Sequence, residues 1–331
     1  LIIDKIIIKL IFTIFFIFIS FPKFHLLLCS LLSIIVLCTF LYNPCQLYYK
    51  VQKMIQLINK KEDIFGDNIA FVENWDFSKA NLNEENRILA ITQVASICYQ
   101  SPKALGSESL YNRLMAESQG LPSSSFEFVP VLLDPKNEKH KEILAPEFSN
   151  VKKFGEQICD GKYLLTNYRA LVYDFENNQK AYSFDIRTIY NTLEECEIIK
   201  EHFKVFLYKV DFPTRSQMVR HRVNWQELSR RYVSGKRVPF DFYISEKMKD
   251  VTSDAGDTQK ILDICLEHYY KALEDGVKPQ EARRIIPQAG YSQIWGGFQP
   301  TQLENYFKLR LDSHAQWEIR KTAEAMKELL A

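Results

Sequence analysis

Leu26 to Tyr42 runs for 17 residues without a charge, and residues 6–20 carry Lys9 as their only charge. Seventeen is the short limit for a helix that crosses a bilayer, so this stretch decides whether the chain is bound to a membrane. Read literally it is a membrane hairpin or an uncleaved signal anchor. The chain begins with leucine, its first methionine is Met54, and from there the composition turns at once into that of an ordinary globular domain. Residues 1–53 are therefore expected to be upstream sequence read in frame, with membrane association only if they are genuine. Residues 54–331 are expected to form the working domain.

The 331 residues are 47% apolar and 25% charged, with net charge +1, enough for one good core or two. That balance argues against a dedicated nucleic-acid binder. Seven cysteines (29, 38, 45, 98, 159, 196 and 265) contain no CxxC and leave an odd count, which fits free thiols in a reducing compartment. No metal site is expected.

Ile55–Gly66 reads as a short strand or turn and Asp67–Trp75 as a loop. Asn83–Gln100 has a helical apolar period with Asn83 as cap, and Glu108–Gln119 is a second amphipathic helix. Residues 122–133 lead into a strand. Residues 134–200 look like an insertion: 134–153 charged and loop-like, 162–175 a strand or helix–strand piece, 192–201 helical. Phe203–Val210 alternates as a strand with one buried face. Thr214–Arg222 reads as a helix capped by Thr214, which would put Gln217, Arg220 and His221 on one face. Val238–Ile244 reads as extended, and Thr258–Gly276 as a core helix. Pro279 opens another helix carrying Arg283 and Arg284, and Tyr291–Phe298 is extended and aromatic. A last helical region from Pro300 is expected to break near Leu311, because Ser313-x-x-Gln316 offers a capping box. Arg310 would stand at that junction.

Arg220 to Tyr232 packs four arginines, a histidine, a glutamate and a serine around Trp225. Arginine forks flanking one histidine can grip an anion bidentately, and Glu227 among them would be held ionised as an acceptor. GxGxxG and GxxxxGK[ST] are absent, so phosphates would have to be held by side chains. The alternative is a nucleic-acid-binding module using the basic stretch 215–237, namely Arg215, Arg220, Arg222, Arg230, Arg231, Lys236 and Arg237. Glu227 inside that patch and the near-neutral charge count against it.

Arg220-His221-Arg222 followed by Glu227-x-Ser229-x-Arg231-Tyr232 resembles the signature of the flavin-dependent thymidylate synthases. Leu309 to Arg320 resembles that family's C-terminal motif. The resemblance covers roughly residues 85–330. It implies an α+β fold, a twisted antiparallel sheet flanked by helices, with the inserted segment at about 134–200. It also implies a cytoplasmic homotetramer with sites shared between subunits. The implied reaction is methylation of dUMP to dTMP, with methylenetetrahydrofolate as carbon donor, FAD as cofactor and NADPH as reductant. Carried over residue by residue, Arg220, His221, Arg222, Glu227, Asn305 and Ser124 match flavin contacts. Gln217, Arg220, Glu227, Ser229, Arg231, Arg283 and Arg310 match dUMP contacts, and Arg310 matches the arginine that favours ionisation at N3 of the uracil. Ser124 and Glu127 keep the family's hydroxyl-to-carboxylate spacing, but Pro122 and Phe128 stand where it has histidines. Six residues separate Arg222 from Ser229, one fewer than usual.

Overall fold

The computed structural model describes residues 55–101, 104–116, 121–145, 149–177 and 183–331. The expectations for residues 1–53 lie outside them. Among the described residues no helix is long and apolar enough to cross a membrane.

The fold is α+β. Its main sheet has five strands: β1 (Gln56–Glu62), β2 (Phe71–Asp76), β6 (Lys204–Asp211), β7 (Asn224–Glu227) and β10 (Tyr291–Phe298). They lie in the order β1-β2-β6-β10-β7 with every pairing antiparallel. β6 is the strand expected, with Phe206, Tyr208 and Val210 buried on one face, but it is not buried on that face alone: Val205 is buried on the other, where Leu207 also packs. β2 corrects the loop expected at 67–75. Its alternation is hidden by Asn74, a polar residue buried because its amide donates to the Leu329 carbonyl at 3.3 Å.

One face of the sheet is covered by α1 (Glu84–Tyr99), capped by the Asn83 side chain as expected. Its Ile88, Leu89, Ile91 and Val94 join a cluster with Phe77, Val205 and Trp295. A short α2 (Glu108–Met115) follows. The other face carries Val72, Phe206, Tyr208, Ile294 and Phe298 against Tyr306 of α11 (Pro300–Arg310) and Ile319, Ala323 and Met326 of α12 (Trp317–Leu330). Strand β10, between β6 and β7, is thus buried on both faces. It also needs glycine: a Cβ on Gly296 would come within 2.6 Å of Trp225, which faces it across the β10–β7 ladder.

Residues 130–202 build a second unit of structure. The antiparallel sheet β3-β5-β4 comprises β3 (Pro130–Leu133), β4 (Glu156–Ile158) and β5 (Tyr163–Asn167). Helices α3 (Glu138–Ile143), α4 (Ser149–Lys153), α5 (Tyr168–Asn177) and α6 (Leu193–His202) surround it in sequence. Residues 138–143 and 149–153, read as loop, are two short helices whose charged faces mask a few buried anchors, His140 and Ile143 in the first and Val151 in the second. The Thr192 side chain closes a full capping box on α6.

This unit is fastened to the main sheet by buried polar chemistry. The Arg87 guanidinium, 1% exposed, donates to Asn81 Oδ1 and to the carbonyls of Arg187 and Ile189 at 2.9 and 2.7 Å. It lies over the rings of Tyr168 and Tyr190, 3.9 and 4.5 Å from their centroids. Glu156 accepts from the Thr301 hydroxyl at 2.6 Å and from its backbone N–H at 3.0 Å, holding the first turn of α11.

Between β6 and β7 stands α7 (Phe212–Met218), where the helix was expected to run on to Arg222. Its cap is Asp211, whose carboxylate accepts from the Thr214 N–H, and Thr214 is already inside the helix. After α8 (Glu246–Lys249) and the hairpin of β8 (Thr252–Ser253) and β9 (Gly256–Asp257) comes α9 (Thr258–Glu274). Expected to be core, α9 buries only Leu262 and Tyr269, while Ile261 and Ile264 are exposed. It packs against Phe240 and Ala282, the latter in α10 (Pro279–Ala282).

Candidate active site

A cavity of about 770 Å³ opens beside β7. The end of α1 gives Cys98 and Tyr99, the turn before β3 gives Ser124, and α7 gives Arg215 and Ser216. Gln226, Glu227, Ser229 and Tyr232 come from β7 and the turns after it, and Arg283 and Arg284 from the turn after α10. Four residues singled out from sequence thus meet in one place: Ser124, Glu227, Ser229 and Arg283.

The wall is a hydrogen-bonded chain. The Ser124 hydroxyl donates to the Gln226 amide oxygen, and the Gln226 amide donates to Cys98 Sγ at 2.7 Å. The thiol in turn donates to the Glu227 carbonyl at 3.1 Å. The Glu227 carboxylate receives Arg215 Nη1 at 2.5 Å. Arg283 is exposed at the rim, and Arg284 is paired with Glu281 at 2.9 Å. Glu127, read beside Ser124, does not face this wall. It pairs with Arg169 at 2.6 Å, and burial still holds its carboxyl above the ordinary range.

Gln217, His221 and Arg310 form a second cluster, outside the cavity lining. The helical face expected to carry Gln217, Arg220 and His221 together is not formed, because α7 ends at Met218 and the chain turns. The Gln217 carbonyl that would have received the His221 N–H instead receives Arg310 Nη2 at 3.0 Å, and the His221 N–H goes to Met218. Arg310 Nε donates to His221 Nε2 at 2.7 Å, which requires a neutral imidazole with its hydrogen on Nδ1. Burial, and then the Arg310 cation, push the His221 imidazole down to about 4. As expected, α11 stops at Leu311 with Arg310 at the junction. The expected Ser313–Gln316 box is not formed. The Gln316 amide is taken by Gln217 and Glu318, and the Ser313 carbonyl by Arg320.

Arg220 and Arg222 are exposed on the turn after α7, and Asn305 is exposed on α11. Gln302, one turn before Asn305, donates to the Arg222 carbonyl at 3.0 Å. Arg231 is also exposed, its Nε on Gln280 at 3.3 Å. The basic stretch 215–237 is therefore not one surface. Arg215 is paired with Glu227, and Arg230 is buried on the carbonyls of Val238 and Pro239 over the Phe240 ring.

Two clusters thus stand in the structure, one lining the cavity and one around the Arg310 guanidinium. The family described as thymidylate synthase complementing protein matches residues 183–331. The flavin-dependent thymidylate synthase of Pseudothermotoga lettingae is 28% identical over 208 residues, 60% of this chain and 86% of that protein. Over residues 183–331 and beyond, the chain is similar to the flavin-dependent thymidylate synthases. Further relatives of the same name come from Sulfurisphaera tokodaii, 28% identical over 183 residues, and Pyrococcus abyssi, 33% identical over 141 residues. Those matches take in 48% and 41% of this chain and span 66% and 57% of the relatives' own length.

Sequence reasoning missed Arg215, Gln226 and Cys98 as parts of the wall. Cys98 lies at the end of α1, where the sequence already resembled the family. Arg215 was read only as one charge of the basic patch. Nothing local marks Gln226, whose role depends on its partner Ser124, 102 residues away in the chain.

Proposed function

We propose that this chain methylates dUMP to dTMP, with methylenetetrahydrofolate as the carbon donor and FAD, reduced by NADPH, as the source of hydride. The observation that carries the reading is the meeting of Glu227, Ser229 and Arg283 from separate stretches in one cavity, beside Arg215 and the Ser124–Gln226–Cys98 wall. A uridylate needs a cation for its phosphate and hydrogen-bonding groups for its sugar and ring. Arg283 supplies the first, Ser229 and Glu227 the second. Among the described residues no histidine lines this cavity, so Ser229 has no imidazole there to deprotonate it, and it binds rather than attacks.

The residues also fit FAD. Exposed Arg220 and Arg222 give two guanidinium forks for a diphosphate, with the Asn305 amide one helical turn from the residue that holds the Arg222 carbonyl. When bound, the flavin supplies the hydride chemistry that no side chain here can. Arg310, held by His221 and by the Gln217 carbonyl, keeps its remaining N–H groups for negative charge developing on the uracil.

The cavity and the Arg310 cluster stand apart within one chain. In our reading a second copy brings them together, in a cytoplasmic homotetramer. The deciding experiment is on the chain begun at Met54. It should purify yellow, lose its colour with NADPH, and form dTMP from dUMP and methylenetetrahydrofolate. A colourless chain that binds neither flavin nor dUMP would remove the reading.

A further inference from the structure

Cys159 lies outside both clusters described above, in the turn between β4 and β5. It is exposed and adopts a left-handed backbone with φ 51°, closed by the Lys162 N–H on its carbonyl at 3.1 Å. A residue other than glycine in that conformation is uncommon, and here it carries an exposed thiol. Cys159 Sγ lies 4.0 Å from Nε2 of His202, the last residue of α6.

The imidazole's orientation is fixed from behind. His202 Nδ1 is 2.8 Å from the Ile198 carbonyl, one turn back along α6. A carbonyl can only accept, so Nδ1 carries the hydrogen when the ring is neutral, and Nε2 presents its lone pair to the sulfur. The three parts are a nucleophile, a base beside it and a group that sets the base's tautomer, at the looser spacing such pairs show before a ligand engages.

The other described cysteines lack this arrangement. Cys196 is fully buried, and burial pushes its thiol up to about 11. Cys98 is committed to Gln226 and Glu227 in the cavity wall. Cys265 is half-buried within α9.

We propose that Cys159 and His202 form a thiol-exchange site that takes up small-molecule disulfides at the protein surface. His202 Nε2 accepts the thiol proton as Sγ attacks one sulfur of the disulfide. A new S–S bond forms and the old one breaks. The electron pair leaves with the departing thiolate, which is protonated from the imidazolium. The disulfide is the oxidant, and a free small thiol reverses the reaction by the same route.

The test treats the chain with glutathione disulfide and measures, by peptide mass spectrometry over time, how fast each cysteine gains a mixed disulfide. Cys159 should react at least about tenfold faster than Cys265, and dithiothreitol should release the adduct. His202→Gln should slow Cys159 by about tenfold without changing the rate at Cys265, which also reports that the fold is intact. If His202→Gln disturbs the fold, His202→Asn serves the same comparison. The proposal is overturned if Cys159 reacts no faster than Cys265, or if removing the imidazole leaves its rate unchanged. Neither outcome depends on flavin, nucleotide or turnover.

Discussion

Acidification should unlock Arg310 by protonating the histidine that holds it. In the unfolded chain His221 takes up its proton near the ordinary 6.5, and in the folded chain burial and Arg310 lower this to about 4. Between those values the unfolded state binds the proton and the folded state does not. Stability is therefore intact above pH 6.5, falls as the pH drops through this window, and levels off below 4. Integrated over the two values, the loss is about 2 kcal/mol at pH 5 and approaches about 3 kcal/mol below pH 4. Structurally, a protonated Nε2 would turn the 2.7 Å acceptor of Arg310 into a second donor carrying like charge. The assay is urea unfolding at pH 7.5, 6 and 5 for the wild-type chain and for His221→Asn, which cannot titrate. The difference in unfolding free energy between the two should shrink by about 2 kcal/mol from pH 7.5 to pH 5. A difference that stays constant with pH, or an imidazole resonance of His221 titrating near 6.5, would refute the reasoning.

Arg310→Ala should lower single-turnover dTMP formation by about two to three decades, as expected for one preorganised donor at developing charge, while flavin content stays near normal. Arg310→Lys should rescue little, since an ammonium cannot make both bonds of the planar fork; parallel loss of flavin and activity in both variants would make Arg310 a cofactor residue instead. Ser229→Ala should weaken dUMP binding and retain measurable turnover, and complete loss of turnover with nucleotide binding intact would show that the hydroxyl reacts. Arg87→Met strands Asn81 Oδ1 and the Arg187 carbonyl, a cost of about 3 kcal/mol, readable by calorimetry as a melting point lower by about 5 °C. An unchanged melting point would mean that these acceptors find other donors.

What could be read in the sequence was written in local chemistry. Asn83 and Thr192 cap the helices they precede, β6 shows one buried face by alternation, and the chain breaks at Leu311 after Arg310. What could not be read depends on distant partners. The end of α7 is set by a guanidinium 93 residues away that occupies the Gln217 carbonyl, so no pattern within 214–222 reveals it. The Ser313–Gln316 box is a valid local option that loses because Gln217 claims the Gln316 side chain. The apolar spacing of α9 looked like core because periodicity reports a face and not what covers it. At the site, the motif residues were legible singly, whereas their division between the cavity and the Arg310 cluster was not.

The close approach of Gly296 to Trp225 also limits how this sequence can drift. The two positions face each other in the β10–β7 ladder, with less room between them than a methyl group needs. Gly296→Ala alone would drive its Cβ into the indole. Trp225→Ala alone would leave a hole between Phe298 and Tyr208, the rings that now pack against the indole at 5.6 and 6.3 Å. A lineage can cross between a large residue at 225 with glycine at 296 and the reverse only by changing both. Sequences of this kind should therefore show the two positions exchanging bulk together. The double variant Trp225→Leu with Gly296→Ala should be more stable than Gly296→Ala by itself.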